Sequence, residues 1–290
     1  MSLPDFLVVG AMKAGTTSLC SDLAANPEIF FPSVKEPHTL VARSFEEESH
    51  YEEYRKLFVE AEKGQLCGEG STGYTKLHKF ERVPEKARAV FGKGTKIIYI
   101  VRNPIDRIQS HHYHLYRKGS VSKDIDREVK RVSDFIEVSR YGMQIEPWIR
   151  KFGDKNKKII KFENYISERK KVIKETLGFL GVEVNSVELG TEKNEGENNL
   201  IPPQIGFLKK ILHSQFYKTF IHPRIPKNIL DILKSKIYKK PPSRPNTLSK
   251  ETVSFLINKL NKDIEKISRI AGCDEKMWSV QEMNAIAGRS

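Results

Sequence analysis

Residues Phe6-Leu7-Val8-Val9 run without a polar interruption into Gly10, and Thr16-Thr17-Ser18 open a helical stretch shortly afterwards. A short apolar run bounded by glycine is the pattern of a strand buried on both faces. A buried strand that feeds a glycine loop and then a helix N-terminus is a cradle for an anion. Glycines let the backbone N–H groups close around the charge, and the helix dipole favours it. The chain is thereby directed toward an α/β fold with a binding loop at the end of its first strand.

The position of the lysine in that loop restricts the chemistry. A nucleotide-hydrolysing P-loop reads G-x-x-x-x-G-K-[ST], with lysine directly after the second glycine. Gly10 and Gly15 have this spacing, but Thr16 follows Gly15 and the lysine stands at position 13. The phosphate cradle is retained, while the lysine and hydroxyl that serve a β/γ-phosphate and Mg²⁺ are displaced.

Apolar runs alternate with helical patterns through the N-terminal half, which predicts βα units and a parallel sheet. Strands are expected at about 6–9, 30–31, 65–69, 96–101 and 159–162, with 96–101 the clearest. Helices are expected at about 16–25, 51–58, 83–91, 104–114 and 168–180, and a last one, capped by Ser249, runs to about Ala271. The expected fold is α/β: a P-loop-like parallel sheet of about four to five strands flanked by helices, with a basic helical C-terminal segment. Residues 1–290 read as one domain, with a core over 1–180 and a helical lid segment over 181–290.

Composition narrows the setting. Three cysteines, Cys20, Cys67 and Cys273, are too few and too dispersed for a disulfide framework or a zinc pattern. No apolar run reaches the roughly 18 residues of a membrane span, and the first strand starts too early for a signal peptide. A cytoplasmic location is expected. The net charge of +13 is concentrated: residues 201–250 hold eleven Lys/Arg against one acidic residue, Asp231. This segment is either a solvated basic face or a surface for an anionic ligand.

Two further constellations carry chemistry. Arg102 ends the 96–101 strand, where open α/β sheets bind ligands. Asn103-Pro104 then start a helix that carries Arg107 and Ser110. Lys35-Glu36-Pro37-His38 forms the other; proline excludes the right-handed α region for Glu36, so an extended backbone is expected there. His111, His112 and His114 lack a carboxylate or thiolate at a ligand spacing and read as helix-surface or substrate-facing residues rather than a zinc site.

Together these motifs resemble the sulfotransferases that use 3′-phosphoadenosine 5′-phosphosulfate (PAPS), and most the carbohydrate branch of heparan sulfate type. Lys13-Ala14-Gly15-Thr16-Thr17-Ser18-Leu19 is similar to that branch's K-x-G-T-[TR]-x-L loop. Arg102-Asn103-Pro104 with Arg107 and Ser110 is similar to its 3′-phosphate element. Lys35-Glu36-Pro37-His38 is similar to its [KN]-E-x-H-[FY] base element, with Thr39 in place of the aromatic residue. Ser243-Arg244 stands where the family has G-R, and Gly70 stands where it often has a lysine; Lys35 and Lys76 are the candidates to replace that charge.

The resemblance implies sulfuryl transfer from PAPS to a hydroxyl or amine of a small-molecule, carbohydrate or lipid acceptor, without a metal and with PAP as product. It implies Lys13, Ala14, Gly15, Thr16, Thr17 and Ser18 at the 5′-phosphosulfate and Arg102, Ser110 and Arg244 at the 3′-phosphate. Glu36, its pKa tuned toward neutrality, or His38 would be the base. Two other readings stay open: a P-loop nucleotide kinase or NTPase, and a non-catalytic module that binds anionic polymers through residues 201–250. A nucleic-acid partner is not expected, and the acceptor and oligomeric state are not legible.

Overall fold

A computed structural model describes residues 3–42, 48–183, 186–190, 243–245 and 247–286. Five strands, β1 (Phe6–Gly10), β2 (Ile29–Phe30), β3 (Leu66–Gly70), β4 (Lys96–Val101) and β5 (Lys157–Lys161), form one parallel sheet in the order β2-β3-β1-β4-β5. Chain order reverses at β1, whose neighbours are β3 and β4. The carboxyl ends beside such a switch point form the natural crevice of a parallel sheet.

The alternation of side chains along the strands assigns the two faces. Leu7, Val9, Ile97, Tyr99 and Val101 join one core cluster, whereas Phe6, Val8, Ile98 and Ile100 join the other. Helices α3 (Val83–Phe91), α4 (Pro104–Arg117) and α7 (Tyr141–Phe152) cover the first face. The same layer holds α10 (Lys250–Ile270) and α11 (Val280–Asn284). Helices α1 (Thr16–Ala24) and α9 (Arg169–Leu180) cover the second, beside α8 (Phe162–Ser167). A polar helix α2 (Glu48–Lys56) precedes β3, and α5 (Ile125–Arg131) and α6 (Asp134–Glu137) precede α7. Burial on both faces explains the unbroken apolar runs 6–9 of β1 and 97–101 of β4.

The expected elements agree with the observed ones to within a few residues, and Ser249 accepts from Thr252 N–H as the cap of α10. Helix α7 was not legible. Pro147 lies inside it, and its first turn is held from 120 residues away, where Asp263 accepts N–H bonds from Gly142 and Met143, both at 2.8 Å. Most of the basic stretch 201–250, part of the expected lid segment 181–290, lies outside the described residues.

Candidate active site

The loop between β1 and α1 folds as the tight strand-loop-helix connection that its sequence suggests. Gly15 caps α1 with φ +92° and offers no side-chain cap, so the first-turn N–H groups of Thr16, Thr17 and Ser18 face the open end of the helix. A Cβ at Gly15 would lie 2.6 Å from the Phe162 ring, and one at Gly10 would lie 2.2 Å from Thr75 Oγ1. Only glycine fits either position. The Ala14 N–H donates to Ala11 O at 3.1 Å and closes the loop on itself, so it is not among the amides turned toward a ligand. Lys13 is half-buried in left-handed backbone, φ +67°.

Arg102 leaves the carboxyl end of β4, and its guanidinium lies over the Phe162 ring, 4.9 Å from the centroid. Phe162 opens α8 at the end of β5, so one aromatic ring spaces the Gly15 loop from Arg102. Ser110 lies about two turns into α4. Arg244, exposed after the undescribed stretch, stacks over Tyr113 at 5.5 Å, one turn beyond Ser110 on the same helix. Its segment is anchored by Ser249, whose N–H and hydroxyl both donate to Asp126 Oδ1 at 3.0 and 3.1 Å.

Arg107 does not share this location. Its guanidinium is fully buried and donates to Ser139 Oγ at 2.8 Å and Phe135 O at 2.7 Å, with His111 Nδ1 at 3.4 Å. Its contacts are those of a structural brace between α4 and the turn before α7. His111 and His112 are likewise buried, not surface residues. Burial, with Arg107, Lys76, His114 and Lys13 nearby, pushes the His111 imidazole down to about 2. No group of three His, Cys, Asp or Glu is arranged to hold a metal among the described residues.

On the β3 side, Glu36 and His38 lie together. Glu36 Oε2 is 3.1 Å from His38 Nε2 and accepts from Thr72 Oγ1 at 2.9 Å. The Glu36 backbone is left-handed, φ +47°, rather than extended. Pro37 excludes the right-handed region, and the side-chain bonds to Thr72 and His38 select this conformer over the extended one. Nor is Glu36 tuned toward neutrality. Burial pushes the carboxyl up, but the His38 and Thr72 hydrogen bonds and the Lys35 charge outweigh it and leave it below the ordinary value.

A buried carboxylate, Glu69, lies beneath this pair. Glu69 is fully buried in β3 and accepts from Tyr54 and Tyr74 hydroxyls at 2.6 and 2.9 Å and from Ser71 Oγ at 2.6 Å. Ser71 Oγ in turn accepts the His38 N–H at 3.2 Å, and Tyr74 Oη accepts the Leu40 N–H at 3.4 Å. Glu69 thus fixes both ends of the His38 turn. The local signal was an acidic residue inside an otherwise buried strand. Burial pushes its pKa up, against the pull of the three hydroxyls and His38.

Gly70 leaves no room for a longer residue, since a Cβ there would lie 2.7 Å from Cys20 Sγ. Burial, with Glu36 and Glu69 close by, pushes the Cys20 thiol up to about 12, which disfavours the thiolate. Lys76 follows the Thr72–Thr75 turn and is half-buried. Its ammonium is pushed down by burial and by Lys79, with Asp134 and Glu36 opposing. Lys35 is exposed.

The strand ends at the switch point thus carry the glycine-lysine loop after β1, Arg102 after β4 and, beside β3, a hydrogen-bonded carboxylate–imidazole pair. Residues 3–195 match the family model described as the sulfotransferase domain, and the chain belongs to that family. It is 25% identical over 189 residues to mouse heparan sulfate glucosamine 3-O-sulfotransferase 3B1, covering 62% of this chain and 46% of that one. It is 33% identical over 120 residues to the membrane-associated sulfotransferase kil1 of Dictyostelium discoideum, covering 39% and 23%. The chain therefore spans about half or less of the curated relatives it matches. A sulfotransferase structure from Alicyclobacillus acidocaldarius shares the fold at TM-score 0.69 and 19% identity, covering 96% of this chain and 99% of that one. No described helix is long and apolar enough to cross a membrane.

Proposed function

We propose that this chain transfers the sulfuryl group of PAPS to a hydroxyl or amine of an acceptor, with PAP as the second product. The observation that carries the reading is the convergence of three groups at neighbouring strand ends: the Lys13 cradle after β1, Arg102 after β4, and the Glu36–Thr72–His38 cluster beside β3. A nucleoside triphosphate needs only the first. A donor with a phosphosulfate at one end of the ribose and a phosphate at the other needs two separated cationic elements.

Sulfuryl transfer, like phosphoryl transfer, has a loose in-line transition state, so positioning and electrostatics supply most of the catalysis. The first-turn amides of α1 and the Thr16, Thr17 and Ser18 hydroxyls hold the 5′-phosphate. Lys13 neutralises charge on the oxygen released as the S–O bond breaks. Arg102, Ser110 and Arg244 hold the 3′-phosphate, for which arginine's planar fork suits a dianion. Glu36 takes the proton from the acceptor oxygen or nitrogen as the new bond to sulfur forms. His38 and Thr72 orient that carboxylate. In the neutral imidazole the proton belongs on Nε2, donating to Glu36, because Nδ1 is buried against Gly73 without a hydrogen-bond partner. A buried unpaired acceptor is less costly than a buried unpaired donor.

The relatives named for heparan sulfate glucosamine make carbohydrate hydroxyls the first acceptor class to test. The experiment pairs a thermal-shift assay with transfer of labelled sulfate from PAPS to pooled sugars, lipids and small hydroxylated compounds. Stabilisation by adenosine 3′,5′-bisphosphate with labelled product is expected. Stabilisation by ATP with Mg²⁺ but not by the bisphosphate would overturn the reading in favour of a kinase or NTPase.

A further inference from the structure

The peptide group that joins Arg102 to Asn103 is held at both of its polar atoms. Its carbonyl, Arg102 O, accepts from Tyr141 Oη at 2.7 Å. Its amide, Asn103 N–H, donates to Glu163 Oε1 at 2.7 Å. The two clamps come from different elements: Tyr141 opens α7 and Glu163 stands in the first turn of α8. Two bonds on one peptide unit fix its plane, and with it the direction in which the Arg102 side chain leaves β4.

One residue of the C-terminal segment touches both clamps. Trp278 Nε1 donates to Glu163 Oε2 at 3.2 Å, and the Trp278 ring lies 5.9 Å from the Tyr141 ring. Trp278 is itself immobilised. It is 1% exposed, Met277 N–H beside it donates to Ser268 Oγ at 2.8 Å, and the Ser279–Glu282 capping box starts α11 directly after it. Glu163 therefore spends one carboxylate oxygen on the Arg102–Asn103 peptide and the other on the indole. On the outer side, Phe162, the residue before Glu163, carries the Arg102 guanidinium on its ring. Residues 162 and 163 thus fix the side chain and the backbone of the same arginine.

We propose that Glu163 and Trp278 are positioning residues for Arg102, and that the C-terminal segment in this way sets the preference for a nucleotide that carries a 3′-phosphate. The proposal rests on the assignment of Arg102 to that phosphate. A guanidinium aimed through a doubly clamped peptide makes charge-assisted bonds without first losing backbone freedom, and such bonds reward correct direction.

The test measures the affinities of adenosine 3′,5′-bisphosphate and adenosine 5′-monophosphate by calorimetry for the unmodified chain, Arg102→Ala, Glu163→Gln and Trp278→Phe. The ratio of the two affinities isolates the 3′-phosphate, and the monophosphate affinity reports an intact cradle and fold. The unmodified chain is expected to favour the bisphosphate by on the order of 10- to 100-fold, and Arg102→Ala to abolish most of that preference. Glu163→Gln, which keeps size but weakens the bond to Asn103 N–H, is expected to lower the ratio about 5- to 10-fold. Trp278→Phe, which keeps a ring but loses the donor, is expected to lower it about threefold. Monophosphate affinity stays unchanged in both. If Arg102→Ala collapses the ratio while Glu163→Gln and Trp278→Phe leave it intact, the positioning role is overturned and the 3′-phosphate assignment stands. If the unmodified chain shows no preference, or Arg102→Ala keeps it, the 3′-phosphate assignment itself fails and this proposal with it. A Glu163→Gln or Trp278→Phe chain that loses both nucleotides equally also overturns the positioning role, because the residue then acts on the fold as a whole.

Discussion

Glu36 and His38 are hydrogen-bonded to each other, Oε2 to Nε2 at 3.1 Å, so the two candidates for the catalytic base form one unit. Both also sit in left-handed backbone, φ +47° and +54°, a conformation that costs roughly 1 to 3 kcal/mol per residue and persists only where surroundings enforce it. Lys13 is a third such residue. Three of the four non-glycine residues with positive φ among those described are thus Lys13 and the Glu36–His38 pair, and the fourth is Arg82.

The pair makes the pH profile diagnostic. The Glu36 pKa is lowered in the fold, so its carboxylate stays ionised through the neutral range and down past the ordinary value of 4.5. The associated stability is present above the unfolded-state pKa and is lost as pH falls through the lowered one. With Glu36 as base, kcat/KM is expected to show no acid limb above about pH 5. Glu36→Gln is expected to reduce kcat by about 10²- to 10⁴-fold, and His38→Asn by less. An acid limb between about pH 6 and 7, together with a larger loss for His38→Asn than for Glu36→Gln, would assign the base to an imidazole. Initial rates across pH 4.5–9 with saturating donor decide between them.

Lys13→Ala removes the charge proposed to meet the leaving oxygen, so the loss belongs in kcat. A reduction of about 10²- to 10³-fold is expected, with adenosine 3′,5′-bisphosphate affinity reduced far less. Equal losses in both would make Lys13 a ground-state anchor.

Much of this site was legible because it is local. Gly10 to Ser18 is one continuous strand-loop-helix whose glycine spacing is local, although the contacts that exclude a Cβ come from Thr75 and Phe162. Arg102 and Ser110 share one strand-helix junction. The illegible parts depend on distant partners. Arg107 fits a phosphate motif by position, but Ser139 and Phe135, beyond α4, claim its guanidinium. Helix α7 contains a proline, and Asp263 caps it from another helix. Glu69 becomes a hub only when Tyr54 of α2 is folded against β3. Conformation at Glu36 follows the same logic, because Pro37 removes one option locally while Thr72 and His38 choose among the rest.

Glu69 supports the turn that carries His38, so it couples stability to activity. Glu69→Leu leaves the Tyr54, Tyr74 and Ser71 hydroxyls without their acceptor, and a loss of about 3 kcal/mol in chemical denaturation is expected. Glu69→Gln is expected to fold and to lose the pH dependence. The folded pKa of Glu69 is raised, so between the ordinary value of 4.5 and the raised one the native state binds more protons than the unfolded chain. Stability from this group is present below the unfolded-state pKa and is lost as pH rises through the folded one. Denaturation midpoints of the unmodified chain and of Glu69→Gln are expected to lie closest at the low-pH end of that window and to separate as pH rises, the unmodified chain losing stability; parallel curves would exclude Glu69 as the titrating group.

Gly70 and Cys20 give the last test, one of packing across the cradle helix. Gly70 ends β3, and a Cβ there would lie 2.7 Å from Cys20 Sγ on α1. The half-buried thiol must shift to make room. Gly70→Ala alone is expected to destabilise by about 1 kcal/mol and to weaken bisphosphate binding, because the displaced helix carries the Thr16–Ser18 amides. In a Cys20→Ala background the obstructing sulfur is gone, and Gly70→Ala is expected to be nearly neutral. The two substitutions then show a coupling of about 1 kcal/mol in a double-mutant cycle, whereas residues without a shared contact would add. Additive behaviour in denaturant midpoints would mean that the strand end excludes a side chain for some reason other than the thiol.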